Sequence, residues 1–97
     1  ENAEEALAAV IQRVRHIHIR DCKGRETGPG PIELQACGRG DIDLYAYCKA
    51  MVEGGYDGPV CLEVIGAGAE HSLAQVSIVA AESYGYLNAC LKQLGAR

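Results

Sequence analysis

Two short runs with β-type alternation, Val14–Asp21 and Val60–Ile65, alternate with helical stretches, and that order limits the fold more than any other feature of the chain. A helix–strand–helix–strand–helix succession requires parallel strands joined by a crossover. Parallel sheets are normally several strands wide and covered on both faces. A sheet of two strands has an unpaired edge on each side. The chain is therefore expected to be α/β, with about two strands and three helices, and incomplete on its own. It opens on Glu1 rather than Met, which fits a piece of a longer body.

The helical periodicities are clear. Leu7, Val10, Ile11 and Val14 recur at spacings of three and four, and this predicts a first helix ending near Gln12 or Arg13. Leu44, Cys48, Met51 and Val52 form the stripe of a second. Asp41 is its expected N-cap, Asp43 lies near the helix dipole, and Gly54-Gly55 is the stop. A long amphipathic helix is expected from about Ser72 to Leu94, with Leu73, Val76, Val79, Ala80, Ser83, Leu87, Cys90, Leu91 and Leu94 on its apolar face. Between the first strand and the second helix, Lys23–Gly40 is a Gly- and Pro-rich loop, long enough to suggest a functional role.

Composition narrows the function classes. The 97 residues carry a net charge of −4, against the positive balance that phosphate neutralisation requires, so no nucleic-acid partner is expected. No apolar run approaches the roughly 20 residues needed to cross a bilayer, so no membrane partner is expected. No basic segment precedes an apolar stretch at the N-terminus, so no secretory leader is expected. With neither Phe nor Trp, the core must be built from aliphatic residues and five Tyr. The five cysteines are odd in number, widely spaced and without a Cys-x-x-Cys pair. They read as reduced thiols serving as small hydrophobes, which favours a cytoplasmic compartment.

Alternation along the strands sorts the chemistry. Arg15, Ile17, Ile19 and Asp21 share one face of the first strand, and Val14, His16, His18 and Arg20 share the other. In the second, Val60, Leu62 and Val64 oppose Cys61, Glu63 and Ile65. Burying Glu63 unpaired within an apolar run would cost several kcal/mol, so it needs a metal, strong donors, or an Arg or Lys on a neighbouring strand. His18 lies near the C-terminal end of its strand at a level similar to Glu63, and one His with one Glu supplies two of the N/O ligands of a divalent metal. His16, one pleat deeper, reads by itself as a hydrogen-bonded core histidine. Arg20, Arg25 and Arg39 are candidates for an anionic ligand.

Three motifs resemble the sugar phosphate isomerase/epimerase family, whose fold is the xylose-isomerase-like TIM barrel. Arg15-His16-Ile17-His18-Ile19-Arg20-Asp21 is similar to its hHhHhKD strand, where h is hydrophobic. Gly38-Arg39-Gly40-Asp41-Ile42-Asp43 is similar to its GEGDhD turn, with Arg39 where the family has Glu. Gly55–Glu63 is similar to its GYDGPhxhE segment. Their order resembles strands seven and eight, so residues 1–97 would form the C-terminal part of a barrel of about 250–300 residues.

The resemblance implies a divalent metal (Mn, Mg, Co or Zn) held by His18 and Glu63, with a further Glu and Asp from outside this chain. Glu63 is also the implied catalytic residue, and Lys23, Arg25 and His16 are the expected substrate-binding residues. The implied activity is isomerisation or epimerisation of a sugar, sugar phosphate or keto-sugar by proton transfer through an enediolate. The expected partner is the rest of the barrel or another copy of the chain. A truncated, non-catalytic barrel piece is the main alternative. A keto-inositol dehydratase-type lyase is a related one. An endonuclease IV-type repair enzyme fits less well, because Lys23–Gly40 holds neither the Asp nor the His of that class's additional metal motif.

Overall fold

The computed structural model describes residues 3–24, 32–63 and 72–97. Within them the chain runs through helix α1 (Ala3–Val10), a 3-10 turn (Ile11–Arg13), strand β1 (Ile17–Ile19), a second 3-10 turn (Ile32–Gln35), helix α2 (Leu44–Glu53), strand β2 (Val60–Leu62) and helix α3 (Leu73–Gln93). The described residues thus form a small α/β domain of three helices and a two-stranded parallel sheet, in the expected order.

The register pairs Ile17 with Val60, His18 with Cys61 and Ile19 with Leu62. The Ile17 N–H donates to the Pro59 carbonyl at 3.2 Å, and the Glu63 N–H to the Ile19 carbonyl at 2.9 Å. Strand β1 is shorter than the alternation predicts. Val14 still donates back to the Ile11 carbonyl of the preceding turn, and Asp21 donates to the Gln35 carbonyl rather than to β2. The expected strand residues Val64 and Ile65 lie outside the described residues.

The core forms between the helices and one face of the sheet. Leu7, Ile11, Ile17, Ile19, Leu44, Cys48, Met51 and Cys90 are buried together. Three of the buried residues in the domain are thiols, Cys37, Cys48 and Cys90, and all five cysteines are free. These thiols fill space that a Val or Leu would otherwise occupy. Burial pushes the Cys37 thiol up to about 11 and the Cys48 thiol up to about 12, so both stay protonated near neutrality.

Two helix details differ from the sequence reading. The N-cap of α2 is Asp43, whose side chain accepts the Ala46 N–H at 2.9 Å. Asp41 instead accepts the Gly24 N–H at 2.7 Å and the Lys23 ammonium at 2.9 Å, and these bonds hold its carboxyl below the usual range. Asp41 is thereby tied to the end of the β1 segment and cannot also cap α2. In α3, Ser72 and Gln75 form a reciprocal capping box, and Val79, Ser83 and Cys90 are buried. Leu73 belongs to the predicted apolar stripe but is 82% exposed. No helix among the described residues is long and apolar enough to cross a membrane.

Candidate functional site

The sheet turns its second face outward. Alternation and parallel register together place His16, His18 and Arg20 of the β1 segment beside Cys61 and Glu63 of the β2 segment. His16, His18 and Cys61 are exposed, and Arg20 and Glu63 are half-buried. The reading of His16 as a core histidine is corrected here, since no described element packs over it. Its Nε2 lies 3.4 Å from Cys61 Sγ, and its ring meets that of His18 edge to face, with centroids 4.9 Å apart.

Glu63 is shared between two basic partners. Arg20 Nη1 donates to Oε1 at 2.6 Å, and His18 Nδ1 lies 3.7 Å from Oε2. The cation that the sequence reading sought for Glu63 is therefore Arg20, at the end of the adjacent strand. This contact leaves Oε2 as the oxygen that faces His18. Arg20 Nε is buried and lacks a hydrogen-bond partner among the described residues. A cleft of about 220 Å³ opens at this end of the strands, lined by His18, Arg20 and Glu63 together with Cys22, Ile42 and Tyr47.

Asp21 fixes the loop beside the site. It is completely buried. Its Oδ1 accepts the N–H groups of Cys22 (2.9 Å) and Ile42 (3.2 Å), and its Oδ2 those of Gly38 (2.9 Å) and Gly40 (3.0 Å). Four backbone donors replace the water such a carboxylate would otherwise need. Gly40 is required by this close approach, since a Cβ there would collide with the Asp21 carboxylate and the Cys22 carbonyl. Gly38 has φ of +100°, and a Cβ there would press into the Tyr86 ring.

The other predicted site residues fare differently. Lys23 is held in the ion pair with Asp41, away from Glu63. Arg25 lies outside the described residues. Arg39 grips Glu82 of α3 through both Nε and Nη2, with the Nη2 contact to Oε1 at 2.9 Å. That bidentate bond lowers the Glu82 carboxyl below its ordinary range and gives Arg39 a structural task in place of a ligand-binding one. The residue that sequence reasoning undervalued as a ligand is Cys61. Alternation already placed it on the face of Glu63, and its position opposite His18 follows from the register.

His18 Nδ1 and Glu63 Oε2 stand 3.7 Å apart, a little wider than the roughly 3.4 Å between two tetrahedral N/O ligands about 2.0–2.2 Å from one ion. No protein-family model matches the chain, and neither a curated protein nor a solved structure matches it.

Proposed function

We propose that this chain forms the last two β/α units of a xylose-isomerase-like barrel and supplies part of the active site of a sugar or keto-sugar isomerase or epimerase. The observation that carries this reading is the approach of His18 Nδ1 to Glu63 Oε2, 3.7 Å apart, on one open face where two parallel strands end. Active sites of such barrels lie at the C-terminal ends of the strands.

In this reading His18 and Glu63 hold a divalent metal together with carboxylates from earlier strands. When bound, the metal polarises the adjacent oxygens of a hydroxy-carbonyl substrate. Glu63 takes the proton from the carbon next to the carbonyl, and the same or another group returns it. Arg20 anchors Oε1 and so fixes the orientation of the carboxylate beside His18. The cleft of about 220 Å³ is smaller than the roughly 300–1,000 Å³ of enclosed small-molecule sites, as expected of a wall that further strands would complete.

Solvent-exchange NMR tests this reading. The protein carrying this chain, incubated with manganese and a panel of aldoses, ketoses and their phosphates in deuterium oxide, should place deuterium beside the carbonyl of one of them. Glu63→Gln keeps the shape and removes the base, and should slow that exchange by several orders of magnitude. Undiminished exchange in Glu63→Gln would remove this residue from the chemistry. A second reading is favoured by the 2.6 Å contact of Arg20 with Glu63, in which the carboxylate is only a structural partner. It predicts no exchange with any sugar and loss of stability alone.

A further inference from the structure

We propose that His16, His18 and Cys61 form a zinc site of their own on the open face of the sheet, with two imidazoles and a thiolate as ligands and solvent at the fourth position. This ligand set shares His18 with the His18–Glu63 pair, so the two compete for one imidazole, and it needs no residue from any other strand.

The fold brings the three groups together by two simple rules. Cys61 stands directly opposite His18 in the parallel register, and His16 lies two residues back on the same face. One ligand atom from each lies within 4.8 Å of the others. A tetrahedral zinc with Zn–S near 2.3 Å and Zn–N near 2.0 Å holds its sulfur and nitrogen ligands about 3.5 Å apart. The His16 Nε2 to Cys61 Sγ separation is already 3.4 Å. The remaining separations, none above 4.8 Å, close by at most about 1.5 Å, within reach of side-chain rotation of His18, which is 58% exposed.

Donor chemistry points the same way. Imidazole and thiolate are the ligands that zinc prefers, whereas magnesium and manganese favour oxygen. The neighbouring carboxylate has a separate partner in Arg20. Three protein ligands with an open, wet fourth position match zinc sites that keep an exchangeable water.

Cobalt(II) is the probe, because a cobalt–thiolate bond absorbs in the near ultraviolet and tetrahedral cobalt is strongly coloured in the visible. The reduced, metal-free protein should bind equimolar cobalt with both signatures, and equimolar zinc should bleach them. Cys61→Ser should abolish the charge-transfer band and weaken zinc binding by more than ~100-fold, beyond the cost of an outer-shell change. His16→Gln should weaken binding as well. Cys61 and His16 are exposed, so far-ultraviolet circular dichroism should show both variants folded. Absence of the band, or a band that survives Cys61→Ser, overturns the proposal. Metal binding that needs Glu63 but neither Cys61 nor His16 also overturns it and leaves the isomerase reading standing. An intact cobalt spectrum without sugar exchange has the opposite meaning.

Discussion

Arg20 and Glu63 meet across the ends of the two parallel strands, Nη1 to Oε1 at 2.6 Å, with side chains 30% and 43% exposed. At that exposure solvent screens most of the attraction, so the pair orients Glu63 more than it stabilises the fold. Arg20→Gln should therefore lower stability by less than about 1 kcal/mol in urea titrations. A loss above about 3 kcal/mol would mean that the pair behaves as a buried one.

Asp21→Asn should be far more costly. The amide replaces one acceptor oxygen with a donor that faces two of the four backbone N–H groups. Leaving buried donors unpaired should cost about 2–4 kcal/mol, a large share of the roughly 5–15 kcal/mol that holds a small domain together. Equilibrium urea unfolding measures it, and an unchanged midpoint would show that the Asp21 hub is not needed.

Gly40→Ala tests the same hub from the other side. The added methyl must displace the Asp21 carboxylate or the Cys22 carbonyl, so a loss of about 1–3 kcal/mol is expected. Gly24 and Gly55, where a Cβ would meet nothing within 4 Å, lack that crowding, so any cost of Ala there comes from positive φ alone. A thermal melt of Gly40→Ala that matches the parent would refute the close approach.

The cysteines should divide by burial. Iodoacetamide applied to the native protein near pH 8 should modify Cys61 and the half-buried Cys22 while sparing Cys37, Cys48 and Cys90. Peptide mass spectrometry reads the sites. Rapid native labelling of Cys48 would contradict its complete burial.

Stability should also fall in alkali. Cys37 and Cys48 rise from an ordinary 9.0 to about 11 and about 12 on folding, so the native state holds their protons more tightly than the unfolded chain does. Their contribution is complete below about pH 9 and is lost as pH climbs toward 11 and 12. Cys37→Ala and Cys48→Ala should each flatten that decline. A urea midpoint constant from pH 8 to 11 would show that these thiols are not buried in solution.

The order of elements and the two strand faces were legible because alternation and helical spacing are local signals. The same alternation places His16 and His18 on one face of their strand and Cys61 and Glu63 on one face of theirs. The depth of His16 was not legible, since burial depends on whether another layer covers the strand. The cap of α2 was misassigned because Asp41 and Asp43 are equally good caps in sequence, and only the distant Lys23 and Gly24 decide between them. The Asp21 hub left no sequence signature, because its donors are backbone N–H groups that any residue type would provide.

The two strands carry their site residues 43 positions apart, as from Arg20 to Glu63. Their ladder requires the connection, which includes α2, to turn the chain back on itself. Closing so long a loop carries an entropic cost that is recovered only when distant contacts form, so pairing of β1 with β2 comes late in folding. The histidines and Glu63 are strangers in the unfolded chain. A peptide cut from either strand would hold half of the ligands and none of the geometry, so only the folded crossover can report on the site.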